Sequence, residues 1–201
     1  MAAKRLVVGI SGASGVIYGI RLLHALAARK DVETHLVISV AARQMISYEG
    51  LAPGDTTTEQ STPAQAIAQV EALADHVYPP DELAAPIASG SFDTSGMVVA
   101  PCSIKSLAAI ANSYAADLLT RAADVTLKEG RPLILMVREA PFHLGHLRLM
   151  VQAAELGAII FPPIPMWYAH PRTLTELVDM TVGRVLARLG IENDLYIRWG
   201  E

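Results

Sequence analysis

The sequence predicts an α/β fold in three layers, an open parallel sheet with helices on both faces, and three observations carry that prediction. Short, almost wholly apolar runs at 5–10, 96–100 and 133–137 have the length of buried strands. Longer stretches with helical spacing of apolar residues lie between them. Two of the runs exit into small-residue turns, Ser11-Gly12-Ala13-Ser14-Gly15 and Pro101-Cys102-Ser103, each opening a helical pattern.

In chain order, 5–10 (RLVVGI) is the first strand, and 16–29 is an amphipathic helix with Ile17, Ile20, Leu23 and Leu26 on one face. Residues 33–39 form the second strand and 41–48 a helix. The polar, Gly- and Pro-containing stretch 51–60 is a loop. A helix over 62–74 opens on Thr62-Pro63, a cap followed by a proline whose missing N–H costs nothing in the first turn. A short strand at 76–78 leads into an irregular Pro/Ser/Gly segment ending Ala88-Ser89-Gly90-Ser91, and long irregular segments in compact domains are usually functional. Then follow a strand at 96–100, helices at 104–111 and 118–129, a strand at 133–137, a helix at 144–156 and a last strand at 158–161. The stretch 162–171 holds four prolines and reads as a rigid loop, and a final helix, 174–189, closes on Gly190. The pattern is that of Rossmann or flavodoxin sheets, in which ligands sit beyond the carboxyl ends of the strands where the strand order reverses.

Composition bounds the function. A chain of 201 residues fits one domain over 1–201, and 52% hydrophobic residues exclude intrinsic disorder. Apolar runs stay strand-sized, so no membrane span is expected. The N-terminus enters a strand pattern at once, with no signal peptide ahead of it, and a single cysteine allows no internal disulfide, so a cytoplasmic location is expected. A formal charge of −4 leaves no electrostatic footprint for nucleic acid. The hydrophobic excess points to apolar surface covered by copies of the chain itself.

The strand ends carry the chemistry. Glycines in the first turn let backbone approach a ligand, and the helix behind it presents N–H groups to a phosphate, yet the spacing matches neither a dinucleotide fingerprint nor a P-loop. A tight structural turn and a phosphate site remain equal readings there. Ser39 follows the second strand as a helix cap or a ligand contact. Ser103-Ile104-Lys105-Ser106 is a second small-residue turn into a helix, and with the Ser89 loop it favours a phosphate-bearing ligand. Arg138-Glu139 leaves an apolar strand, a costly placement unless both belong to a site or to a buried ion-pair network, and the site reading is preferred. Arg121, Asp124 and Lys128 share one helix face, which by spacing alone is a solvated, salt-bridged surface. Cys102 reads as a packed small residue rather than a nucleophile. His143 and His146 lack a third ligand, so no metal is expected. Trp167-Tyr168 reads as core packing or as the lining of an apolar pocket.

Taken together, Ser11–Gly15, Ala88–Ser91, Val99–Ser103, Arg121–Glu129, Arg138–Pro141, Pro165–Tyr168 and the terminal Arg198-Trp199-Gly200-Glu201 resemble, in order and spacing over the whole chain, the UbiX/Pad-type flavin prenyltransferases. The resemblance implies a homo-oligomeric flavoprotein, a dodecamer, that joins a dimethylallyl group from dimethylallyl phosphate to reduced FMN at N5 and then C6, without a metal. The product, prenylated FMN, is the cofactor of UbiD-type decarboxylases. Position by position, the resemblance places Gly12, Ala13, Ser14, Ser39, Ser103, Ile104, Lys105, Ser106 and Arg138 at FMN. It places Ser89, Arg121, Lys128, Tyr168, Arg184 and Trp199 at the dimethylallyl phosphate, and gives Ser14, Glu49, Lys128 and Glu139 catalytic roles. The cations would stabilise the departing phosphate, aromatic faces the allylic cation, and Glu139, relayed by Ser14, would be the acid/base.

Ser11 stands where threonine is common in the family, and Phe142-His143-Leu144-Gly145-His146 resembles the branch associated with phenolic-acid decarboxylases rather than ubiquinone synthesis. Two rivals stand beside this reading. An FMN-dependent cysteine decarboxylase needs an early catalytic histidine, whereas His24 is mid-helix and His35 mid-strand by pattern. A non-catalytic FMN carrier would have no use for the Arg121, Lys128, Glu139 and Arg184 set.

Overall fold

In the computed structural model, which describes residues 3–50 and 62–200, six parallel strands form one sheet. They are β1 (Lys4–Ile10), β2 (Val32–Ile38), β3 (His76–Tyr78), β4 (Gly96–Cys102), β5 (Leu133–Val137) and β6 (Ile159–Ile160), in the order β3-β2-β1-β4-β5-β6. The helices are α1 (Ile17–Ala27), α2 (Val40–Glu49), α3 (Pro63–Glu71), α4 (Ile104–Ala111), α5 (Leu118–Lys128), α6 (Leu144–Glu155) and α7 (Leu174–Arg188). The expected loop at 51–60 lies outside the described residues.

The strands are apolar at nearly every position because both faces are covered. Leu6, Val8, Ile10, Leu36, Ile38, Val98 and Ile134 pack with α1 and α7, while Val7, Val37, Met97, Val99, Leu133 and Leu135 pack with α4 and α5. Side chains alternate between faces, so each strand feeds two cores, and the interior polar positions are confined to Arg5 of β1 and Glu33, Thr34 and His35 of β2 among the described strands β1, β2, β4 and β5. From β1 the chain winds outward to β2 and β3, then returns to β4 on the other side. The strand order therefore reverses between β1 and β4, and the crevice at their carboxyl ends is the place such a sheet offers a ligand.

Most elements lie within two residues of their expected ends, and the differences have simple causes. The last strand shrinks to two residues because it is the sheet edge and pairs only with Ile134 and Leu135. The helix expected over 62–74 is a nine-residue α3, started by a reciprocal cap between Thr62 and Gln65 and by Pro63. The stretch 162–171 is not purely a loop: Trp167–Ala169 forms a 3-10 turn. Gly190 takes a positive φ of 67° just beyond α7, the conformation that ends a helix without a Cβ penalty.

Candidate functional site

The crevice is built from three turns. In the first, Ser11 is buried; its hydroxyl donates to the Pro101 carbonyl at 2.8 Å and accepts the Ser103 N–H at 2.7 Å, locking the β1 turn to the β4 turn. Gly12 lies against the start of α2, where a Cβ would fall 2.3 Å from that of Ala41, so only glycine fits. The start of α1 is already filled. Glu49, at the far end of α2, accepts the Gly15 N–H at 2.8 Å and the Val16 N–H at 3.1 Å. An internal carboxylate thus takes the place expected for a phosphate, drawn by the same partial positive charge, and the β1 turn is structural at its helix end.

Free donors lie on either side. Ser39 caps α2 by accepting the Ala42 N–H at 3.1 Å, which leaves the Val40 and Ala41 N–H groups without a protein partner among the described residues. Ser103 caps α4 by accepting the Ser106 N–H at 3.2 Å and donates its hydroxyl to that of Ser106 at 3.1 Å; the Ile104 and Lys105 N–H groups stay free in the same sense. Two helix starts with unspent donors therefore flank the end of β1. The third turn adds Arg138, whose backbone N–H is tied to the Cys102 carbonyl at 3.1 Å. Its side chain is exposed and has no carboxylate partner among the described residues, and Glu139 accepts only the following Ala140 N–H, at 2.9 Å. The pair is not a buried ion-pair network. Free N–H groups, serine hydroxyls and an unspent guanidinium together fit a phosphate-bearing ligand such as FMN.

The other expected residues are elsewhere. Helix α5 runs antiparallel to the strands, from Leu118, whose N–H meets the Pro80 carbonyl just past β3, down to Lys128 near the start of β4. Lys128 pairs with Glu129 beneath Gly90, where any Cβ would strike both of those side chains. Ser89 and Ser91 share a 2.9 Å hydroxyl contact in the same loop, and Arg131 holds the loop by donating to the Gly90 and Phe92 carbonyls at 3.0 and 2.9 Å. Arg121 donates to the Ala88 carbonyl at 3.2 Å and pairs with Asp124 at 2.9 Å. Lys128 does not extend that pair along the helix face, since its partner is the next residue. At Lys128 this second patch reaches toward the amino end of the sheet, away from the crevice that holds Ser14 and Arg138.

A third patch lies at the β6 edge. Phe161, Pro162, Ile164, Pro165, Met166 and Arg184 line an open cavity of about 320 Å³ between β6 and α7. Arg184 contacts the Met166 sulfur at 3.8 Å and has no carboxylate partner among the described residues. The Tyr168 hydroxyl faces the same sulfur at 3.6 Å and donates to the Ile197 carbonyl at 3.4 Å, while Trp199 meets the Tyr168 ring edge-on at 5.0 Å. Trp167 and Trp199 are 68% and 81% exposed, which removes the core-packing reading for this loop.

No hydrogen bond or ion pair among these named residues crosses from one patch to another. The structure brings Gly12, Ala13, Ser14, Ser39, Ser103–Ser106, Arg138 and Glu139 to one crevice, assigns Glu49 to its framework, and leaves Ser89, Arg121 and Lys128 apart from Tyr168, Arg184 and Trp199. Sequence reasoning missed Arg131, which shapes the Ser89 loop, and Met166, which joins Tyr168 to Arg184. Arg131 lies outside every motif, and Met166 lies inside the Pro165–Tyr168 run without a role assigned to it there. Cys102 is fully buried, and burial pushes its thiol up to about 12, so it offers no nucleophile near neutral pH.

Known proteins resemble this chain in both sequence and fold. The family model described as Flavoprotein matches residues 1–186. The chain is 54% identical over 198 residues to the flavin prenyltransferase UbiX of Escherichia coli (strain K12), covering 98% of each. Among solved structures it is similar to AnUbiX in complex with FMN and dimethylallyl pyrophosphate, with 42% identity, a TM-score of 0.88 and coverage of 99% of this chain and 98% of that one. A dodecameric FMN-dependent UbiX-like decarboxylase from Escherichia coli O157:H7 matches with 43% identity and a TM-score of 0.86, over 98% of this chain and all of that one.

Proposed function

The chain belongs to the flavoprotein family and, within it, to the UbiX-type flavin prenyltransferases, and from that membership we propose how its own residues carry out the reaction. The activity is prenylation of FMN: a dimethylallyl group passes from its phosphate ester to reduced FMN, giving prenylated FMN. The observation that carries the site reading is the pair of unspent helix starts, α2 and α4, flanking β1 beside the unpaired Arg138.

FMN is held in that crevice, its phosphate met by the Ile104 and Lys105 N–H groups, the Ser39, Ser103 and Ser106 hydroxyls and Arg138, with Gly12, Ala13 and Ser14 along its flank. Reduced FMN supplies the nucleophile for the prenyl carbon. Arg184 and Tyr168, with Arg121, Lys128 and Ser89, hold the phosphate of the dimethylallyl donor, so that negative charge growing on the leaving group meets fixed cations. Trp199 and Tyr168 offer ring faces to the allylic cation. Glu139, which reaches solvent and has only one backbone donor, takes up the proton released on ring closure, with Ser14 as relay. Glu49 acts as a positioning residue, through the start of α1.

These groups meet only if copies of the chain share a site. Patches at opposite ends of one sheet cannot serve one reaction centre, whereas a closed homo-oligomer can set the amino end of one copy against the crevice of another. A dodecamer is supported by the assembly of the Escherichia coli O157:H7 relative and by the exposed Leu144, Leu147 and Val151 on one face of α6. The chain acts as one FMN-binding domain over 1–201, in the cytoplasm, with a UbiD-type decarboxylase as recipient of the product. Its one cysteine supports that compartment, and no helix among the described residues is long and apolar enough to cross a membrane.

Anaerobic incubation of the protein with reduced FMN and dimethylallyl phosphate, followed by mass analysis of the flavin, tests the reading. A flavin heavier by one prenyl unit is expected; retained but unmodified FMN, with an active relative in parallel, supports a carrier instead. A cysteine decarboxylase is disfavoured because His24 lies within α1 and His35 is buried in the middle of β2.

A further inference from the structure

Away from the flavin crevice, the face of β2 and β3 toward α5 gathers an unusual set of side chains. Glu33 and His35 stand two residues apart on β2, and His76 is the direct register partner of His35 on β3. His76 Nε2 lies 2.9 Å and His35 Nε2 3.4 Å from the same carboxylate oxygen of Glu33, and one donor atom from each of the three residues lies within 4.8 Å of the others. His35 is 1% exposed, and its Nε2 is a buried atom with no hydrogen-bond partner. Such an orphan is costly in a core and calls for an occupant.

The other ring nitrogen is already engaged. His35 Nδ1 lies 2.9 Å from the Tyr78 hydroxyl. In the tautomer whose Nδ1–H donates to that oxygen, Nε2 presents a bare lone pair beside the Glu33 carboxylate, an acceptor near an acceptor. A divalent cation between them turns that clash into two bonds, and the Tyr78 contact is the outer hydrogen bond that metal-binding imidazoles commonly make.

We propose that Glu33, His35 and His76 form a Zn²⁺ site, with water in the fourth position. Two imidazoles and one carboxylate are a borderline-soft donor set that suits zinc, whereas Mg²⁺ and Ca²⁺ favour oxygen alone. The His76 ring is stacked on His35 at 4.7 Å between centroids and must turn its lone pair inward, which its half-exposed position permits. The charged groups around the site are Arg5, whose guanidinium takes the other Glu33 oxygen at 3.3 Å and lies over the Phe92 ring, and Asp75, which is bound to Thr34. The site lies in the part of the sheet remote from Ser103 and Arg138, so its role is to tie β3, a three-residue edge strand, to β2. The sequence alone suggests no metal here because the donors come from two strands 43 residues apart.

The test is equilibrium dialysis of the chelator-stripped full chain against Zn²⁺ at neutral pH, with Co²⁺ as a spectroscopic substitute. One ion per chain is expected, with the visible bands of four-coordinate Co²⁺. Both vanish in His76→Ala and in the near-isosteric Glu33→Gln, while Tyr78→Phe weakens binding about 10- to 100-fold by removing the outer hydrogen bond. His143→Ala, in the other histidine pair, leaves binding unchanged, and the prenylation rate is the same in His76→Ala as in the parent. Absence of stoichiometric Zn²⁺ binding, or binding that survives His76→Ala and Glu33→Gln, overturns the proposal.

Discussion

The Ser103 N–H donates to the Ser11 hydroxyl at 2.7 Å, a single bond that joins the two turns on either side of the reversal in strand order. The Ser11 hydroxyl donates its own hydrogen bond to the Pro101 carbonyl, so one buried side chain satisfies a donor and an acceptor of the neighbouring turn. Ser11→Ala leaves the Ser103 N–H unpaired and is expected to cost about 1–3 kcal/mol. For a chain of this size each kcal/mol lowers Tm by roughly 2–4 °C. Thermal unfolding of the apo and FMN-loaded protein measures it, with a larger drop in the loaded form because the bond positions the start of α4. Ser11→Thr keeps the hydroxyl and is expected to stay close to the parent.

Glu49 closes the start of α1 from 34 residues away. Glu49→Ala removes a charged cap worth about 0.5–2 kcal/mol and frees the Gly15 and Val16 N–H groups. Lower stability together with weaker FMN binding is expected; a loss of turnover at unchanged Tm and unchanged FMN affinity would instead make Glu49 a catalytic residue.

Gly12→Ala places a methyl group 2.3 Å from the Ala41 side chain, so the start of α2 must move and Ser39 with it. Overpacking of this kind costs about 1–3 kcal/mol, and FMN affinity by fluorescence titration is expected to fall while the far-UV spectrum stays unchanged.

Glu139→Gln keeps the size and hydrogen-bonding reach of the side chain but cannot take up a proton near neutral pH. Retention of FMN with a turnover loss of about 10²–10⁴-fold is expected from the loss of general acid/base catalysis. Unchanged turnover removes Glu139 from that role.

Burial disfavours the charged form of Cys102 and raises its pKa to about 12, so the thiolate is absent from the folded protein throughout the neutral range. An aromatic disulfide reagent at pH 8 is expected to leave the native chain unmodified and to react with one thiol per chain after denaturation. Rapid native reaction would contradict the burial.

The sequence made the sheet readable because parallel strands buried on both faces leave unbroken apolar runs: 133–137 coincides with β5, and 96–100 falls within β4. Serines at helix starts were equally legible, and Ser39 and Ser103 cap as their spacing suggests. What pattern could not show was long-range. Nothing local says that Glu49 fills the start of α1, or that Ser11 links two turns 92 residues apart. Motifs in register named Lys128 and Tyr168 together, yet α5 ends at the amino side of the sheet and Tyr168 lies beyond the β6 edge. A motif records which residues meet, not which copy supplies them.

Lys128 and Glu139 reach a common centre only if one site draws on more than one copy. Lys128→Ala and Glu139→Gln chains, each expected to be slower by about 10²-fold or more, can be co-expressed with different tags and the mixed oligomers purified. If Lys128 and Glu139 come from different copies, random mixing restores about a quarter of the sites and a matching share of parental prenylation activity. If the mixed oligomers are as inactive as either variant alone, both residues act within one chain and the divided site is wrong.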